Sequence, residues 1–279
     1  MRHVITAAPL ALALFLAAPA QAAPSVSVEL AAGAPSATQD GKGEEKKPDK
    51  RKEIKEMLST FKGHVSKRGA EDAEAIAIID ELLQEFPESG PKDRKAIVKE
   101  LSACFKLKRK MTKEGLLDNK LFNACAISMG RMGPESVKDL AKWAEHKNFD
   151  KNYDVKTKLV LSLGMTEDED AIEPLIDFLP HHDAKVQAAA AEALGHYGEL
   201  ELKKRKKIFK KVLDELTRVK NMIDVDQVDP IERNRYDVIA GPMLTTLQVL
   251  SGQEIRDPLK FRTWWNKNKK KDWDEGNDD

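Results

Sequence analysis

Apolar residues between positions 166 and 198 recur at helical spacing twice over. Ile172, Leu175, Ile176 and Leu179 fall at i, i+3, i+4 and i+7, one apolar face of a short helix that Pro180 ends. Thr166 with Glu169 three residues on reads as a capping box for that helix, with Asp168 and Asp170 favourable in its first turn. Asp183 is placed to cap a second helix whose inward stripe is Val186, Ala190, Ala193, Leu194 and Tyr197. Gly195 and Gly198 mark its C-terminal end, and Lys185, Gln187 and Glu192 point outward. The run Ala188 to Ala191 keeps this helix thin, so neighbouring backbones can approach closely.

The same grammar repeats with drift. The stretches ending at Gly130, Gly164 and Gly195 align on that glycine, each a short amphipathic helix closed by Gly and followed by a second apolar pattern, and the glycines stand 34 and 31 residues apart. Ser136 to Glu145 carries Val137, Leu140, Ala141 and Ala144, and Lys203 to Lys220 carries Ile208, Phe209, Val212, Leu213, Leu216 and Val219. Tyr236 to Leu250 carries Ile239, Met243, Leu244, Leu247 and Leu250, after an Asp229-Pro230 start and with a kink expected at Pro242. Upstream, Ala73 to Phe86 and Lys92 to Phe105 read as a first pair around the breaker between Pro87 and Pro91. No segment sustains period-two alternation, so the chain is predicted to be all-α. One such hairpin cannot bury its own apolar face, and only stacked neighbours can, which predicts a solenoid of about four antiparallel helix pairs.

Residues Asp170 to Leu179 and Asp183 to Gly198 resemble a HEAT-like repeat of the short bacterial type also seen in phycobilisome-lyase-like proteins. Asp183, Val186, the alanines, Leu194 and Gly195 occupy that pattern's recurring positions. The C-terminal Leu250-Ser-Gly-Gln253 and Phe261-Arg-Thr-Trp-Trp265 are similar to the closing segment of exported bacterial HEAT-repeat proteins. The resemblance implies a right-handed superhelix of helix pairs that presents a concave helical surface to protein partners. Some relatives act as bilin lyases, an activity that structural repeat positions alone do not carry over.

The ends of the chain differ in composition. Arg2 and His3 precede an apolar run from Val4 to Pro19 that is too short to span a bilayer, and Ala20-Gln-Ala22 supplies a small-x-small cleavage site. Residues 1–22 therefore read as a signal peptide cleaved after Ala22, which makes the chain exported, periplasmic or secreted, with no transmembrane anchor. Residues 23–52 are Ala/Pro/Ser/Gly-rich and then a Lys/Glu run without apolar period, and read as a disordered spacer. Residues 53–265 are left for the repeat domain and 266–279 for a charged tail. Cys104 and Cys125 fall on apolar stripes, as buried thiols would. An exported compartment permits a disulfide between them, whereas parallel stacked helices usually hold backbones too far apart for one.

Chemistry is sparse. The sequence has no haem, zinc-protease, dinucleotide or serine-hydrolase motif, so no catalytic residue, cofactor or metal is expected. His181-His182-Asp183 is read as a polar turn with an N-cap rather than a metal site, and Glu192 and Glu199 are each placed to line a groove. Trp264, Trp265 and Trp273 read as a C-terminal cap over the last helix pair. Formal net charge is zero, but residues 167–177 hold six acidic and no basic side chains, and residues 203–220 nine basic and two acidic. Lys203, Lys204, Arg205, Lys206, Lys207, Lys210 and Lys211 are thus expected to cover the solvent side of a helix. They either form a solvated face balanced by the acidic stretch or dock an acidic protein or an anionic envelope polymer. The leading functional reading is a non-catalytic interaction scaffold for another exported protein, with no nucleic acid expected. A cofactor-handling relative of the bilin lyases and a polymer binder are the alternatives.

Overall fold

The computed structural model describes residues 49–109, 111, 117–224 and 229–274. Among them are eleven α-helices and no strand: α1 Arg51–Val65, α2 Asp72–Glu85, α3 Pro91–Cys104, α4 Lys120–Arg131, α5 Val137–Ala144, α6 Tyr153–Gly164, α7 Ile172–Phe178, α8 Ala184–Leu194, α9 Leu202–Ile223, α10 Pro230–Ser251 and α11 Pro258–Asn268. The expected signal peptide and all of the spacer before residue 49 lie outside the described residues. α1 starts two residues ahead of the expected boundary at 53, and α11 runs three residues into the segment read as a tail. No helix among the described residues is long and apolar enough to cross a membrane.

Local chemistry sets the starts. Asp183 accepts from the amides of Lys185 and Val186, and Asp257 from those of Leu259 and Lys260. Asp229 accepts from Ile231, and Pro91, Pro230 and Pro258 supply the first residue of α3, α10 and α11. The capping box expected at Thr166 does not form. Thr166 turns inward to donate to the Leu163 carbonyl at 2.7 Å, and Asp168 caps a short 3-10 turn that leads into α7. α10 begins six residues earlier than the apolar pattern at Tyr236 suggested and passes through Pro242 as one helix.

The helices stack in two rows. In one, α2, α4, α6, α8 and α10 pack successively side by side; in the other, α1, α3 and α5 follow, α5 meets the short turn at Glu169–Ala171 that leads into α7, and α7 packs on α9, with α11 closing on α9. Each even helix also packs on the odd helix before it, so there are five pairs and an eleventh helix rather than about four pairs. α2 and α3, read in sequence as one pair, belong to different pairs: α2 packs on α1 and α4, and α3 on α4, α1 and α5. The breaker between them is a link between repeats. Its punctuation resembles that of a hairpin turn, and the sequence could not tell the two apart.

The even row is the tighter one, and the recurring glycines explain why. None of Gly130, Gly164 and Gly195 has positive φ, so they are not left-handed helix caps; that role falls to Gly252, at φ +68°. A Cβ on Gly130 would lie 2.7 Å from the Ser162 carbonyl oxygen of α6, and one on Gly164 would lie 2.5 Å from Ala193 Cβ of α8. The glycines are contact points where one helix of the row presses on the next. Close approach, not chain reversal, is what the repeat preserves.

One continuous apolar core runs between the rows from Ile54 to Trp265 and includes Leu175 and Leu194, both fully buried. Cys104 and Cys125 are free, buried thiols within it. Burial and the neighbouring Cys104 sulfur push the Cys125 thiol well up. Gln187, read as outward, is instead fully buried and donates to Glu215 of α9 at 2.6 Å, and Glu215 in turn holds Arg218. The helix is wrapped on more sides than a two-row amphipathic pattern implies, so a polar residue inside needs a polar partner, and α9 provides one.

Candidate functional site

The basic segment 203–211 forms the first part of α9, and its cations do not share one fate. Arg205 is buried, which overturns its placement on a solvent face. Its guanidinium donates to the Leu200 carbonyl at 2.9 Å and the Leu250 carbonyl at 3.2 Å and pairs with Asp274. It ties α9 to the end of α10 and to the C-terminal segment. Lys204 pairs with Glu169 at 2.6 Å, and this carboxylate raises the ammonium's pKa above its usual value. Lys207 pairs with Glu173 of α7, so two cations reach the acidic stretch one repeat earlier. Lys206 donates to the Lys271 carbonyl and lies 5.2 Å from the Trp273 ring centre, and Lys210 pairs with Asp214 within its own helix at 2.6 Å. Lys203 and Lys211 are exposed and have no partner among the described residues. Most of the positive segment is thus engaged within the chain, stitching α9 to α7 and to the C-terminal end.

The tryptophans close the end of the stack. Phe209 of α9 is stacked on Trp265 at 5.3 Å between ring centres, and Trp264 and Trp273 pack against the same ring at 5.6 and 5.3 Å. Trp265 is buried and the other two indoles are half-buried, an apolar lid on the last pair. At the other candidate cluster, His182 shares a 2.9 Å hydrogen bond with Tyr153, and His181 Nδ1 accepts from the Asp183 amide at 3.0 Å. Burial, with the adjacent His182, lowers the His181 pKa. Both rings shape the turn that precedes α8. No grouping of three or more His, Cys, Asp or Glu among the described residues could hold a metal ion.

One candidate docking surface lies between α8 and α10. A groove of roughly 460 Å³ there is lined by Glu192 and His196 on one side and by Pro242, Thr245 and Val249 on the other, with Gly195 and Thr246 at its floor. The floor is fixed by Thr246, which donates to the Ala191 carbonyl at 2.6 Å. Along α10 the apolar wall continues through Val238 and Ile231. These stand eleven and eighteen residues before Val249, about three and five turns, and so share its face. Ile231, Val238 and Val249 are 70%, 42% and 49% exposed, three of the large apolar side chains the fold leaves open to water. At the other end of the groove Arg235 donates to the His182 carbonyl and anchors α10 to the start of α8. Glu192 was legible as a groove residue. The α10 stripe was not, because the inward stripe through Ile239, Met243, Leu247 and Leu250 absorbs the helical period. A second apolar series at intervals of seven and eleven residues, on the face adjoining that stripe, was the available signal.

These features define a class: an all-α stack of helix pairs held by close inter-helix contacts, closed at one end by an aromatic lid and grooved between neighbouring helices. The HEAT repeats family model matches the chain over residues 120–195 and again over 137–220, which together span α4 to α9. Residues 120–220 thus carry HEAT-like repeats, which suggest a protein-interaction scaffold type. No curated protein matches the chain.

Proposed function

We propose that this protein is a non-catalytic scaffold, exported from the cytoplasm, that takes a protein partner in the α8–α10 groove. The exposed apolar stripe Ile231–Val238–Val249 beside that groove carries the reading. Three aliphatic side chains on one helical face keep apolar surface in water, and an apolar partner surface is what would remove it. Glu192 and His196 add polar groups at the rim, where they select rather than drive binding. Export is supported by the Arg2-His3 start, the apolar run and the Ala20-Gln-Ala22 site, and is checked by the mature chain beginning at Ala23. A photo-crosslinking residue at Val238 should give one discrete adduct in cells, lost on Val249→Asp, while the same probe at the exposed Asp177 of α7, in the other row, gives none. No adduct at Val238, or one that Val249→Asp leaves intact, would refute the reading.

A further inference from the structure

A second groove lies at the opposite end of the stack, between α1 and α3. It encloses roughly 760 Å³, within the range that holds a drug-sized ligand or a few peptide residues. Its floor is apolar, from Ile54 and Leu58 of α1 and Ala96 of α3. Its rim carries Arg51, Lys52 and Lys55 on one wall and Lys92 on the other. Elsewhere on the molecule cations are commonly paired, as at the two ends of this groove, where Lys50 meets Glu85 and Lys62 meets Glu100, both at 2.8 Å. The four rim cations have no carboxylate partner among the described residues.

One observation narrows the occupant. Asp93, in the first turn of α3, is 4% exposed and lines the groove, and its Oδ2 is buried without a hydrogen-bond partner. A buried carboxylate oxygen left unmet is costly. A simple anionic polymer brings charge for the lysines but only repulsion for Asp93. A peptide brings both complements, carboxylates for the rim and a backbone N–H for the Asp93 carboxylate where it lines the groove, and its apolar side chains cover Ile54 and Leu58.

We propose that the α1–α3 groove binds a short acidic protein segment with apolar residues, its carboxylates held by Arg51, Lys52, Lys55 and Lys92 and a backbone N–H donated to Asp93. This second docking site rests on the scaffold reading, but it lies in a different pair of helices from the α8–α10 groove. The two can therefore fail separately. The probe is a fluorescein-labelled hexapeptide of glutamates and leucines, read by anisotropy on the full chain, with inorganic polyphosphate as competitor. Binding should weaken more than tenfold with Lys52→Glu/Lys55→Glu and fall steeply as salt rises, since screening acts over about 10 Å at 0.1 M. Val249→Asp should leave it unchanged.

Asp93→Ala should weaken the peptide at least fivefold while leaving polyphosphate competition unchanged or stronger. If Asp93→Ala does not fold, Asp93→Asn should move both readouts in the same directions by less. The proposal is overturned by no peptide binding at millimolar concentration, or by binding indifferent to the lysine reversal. Polyphosphate binding that equals the peptide's, with Asp93 variants neutral for both, would assign the groove to anionic polymers and also overturn it.

Discussion

Gly164→Ala isolates what the repeated glycine does. It ends α6 in ordinary helical backbone, so alanine there meets no φ penalty. The added methyl, however, would stand 2.5 Å from Ala193 Cβ, 2.7 Å from Ala193 Cα and 2.9 Å from the Ala193 carbonyl oxygen. Carbon atoms rest at about 3.5–4.0 Å, so α6 and α8 must separate by about 1 Å. Two of the three opposing atoms are backbone and the third is a methyl fixed to it, so no rotamer change relieves the contact. Overpacking of this kind costs about 1–3 kcal/mol. Replacing helical glycine gains about 0.5–1 kcal/mol, less at the last residue of a helix. The net expectation is a loss of about 1–2 kcal/mol. Gly63, near the end of α1, is the control, because nothing lies within 4 Å of a Cβ built there. Alanine at that site should stabilise by about 0.5 kcal/mol. Urea unfolding followed by helical circular dichroism, with midpoints compared at constant slope, measures both. If Gly164→Ala matched Gly63→Ala, the glycine would be a mere helix end and the close-packed row would be wrongly explained.

Three further expectations use the same assay or a thermal melt. Leu175→Ala and Leu194→Ala should each cost about 2–5 kcal/mol, since both side chains are fully buried between helices; silence at both sites would displace the register of α7 and α8. Lys204→Ala and Lys207→Ala should each leave stability nearly unchanged, as exposed ion pairs do. Arg205→Ala, which strands two carbonyls, should cost about 1–3 kcal/mol, and equal effects at the three sites would contradict its structural role. His181 has a folded pKa below its unfolded value near 6.5, because burial and His182 disfavour the imidazolium. The unfolded chain therefore binds the extra proton, so this stability is present above about pH 6.5 and lost as pH falls through the lower folded value. His181→Gln should flatten that part of the melting curve, and an unchanged curve would assign the acid sensitivity elsewhere.

Much of the fold was legible because burial leaves a period. The stripes of α7, α8 and α9 were each read at the residues that are buried, and Asp183 and Asp229 cap as their positions imply. What failed were assignments that depend on a third direction. Gln187 and Arg205 look outward on a helical wheel because the wheel knows one buried face; α9 packs against Gln187, and the end of α10 with Asp274 closes over Arg205. Thr166 was given to the following helix although its hydroxyl belongs to the preceding one. The glycines were detected as punctuation, but the reason for them, an approach of two backbones from different repeats, involves partners such as Gly164 and Ala193, 29 residues apart.

The candidate sites were less legible for a related reason. A repeat position is constrained by the neighbouring repeat, so it encodes stacking and carries nothing specific to a partner. Partner specificity must come from side chains that stacking does not use. By that criterion the basic segment of α9, the loudest charge signal in the sequence, is a weak candidate, because Lys204, Arg205 and Lys207 are spent on α7, α10 and the C-terminal segment. The quiet positions are the better ones. Ile231, Val238 and Val249 keep apolar surface in water along one helical face. Arg51, Lys52, Lys55 and Lys92 surround an apolar floor without, among the described residues, carboxylate partners such as Lys50 and Lys62 have. In a fold whose interior is self-complementary, the unspent groups are where a partner has something to gain.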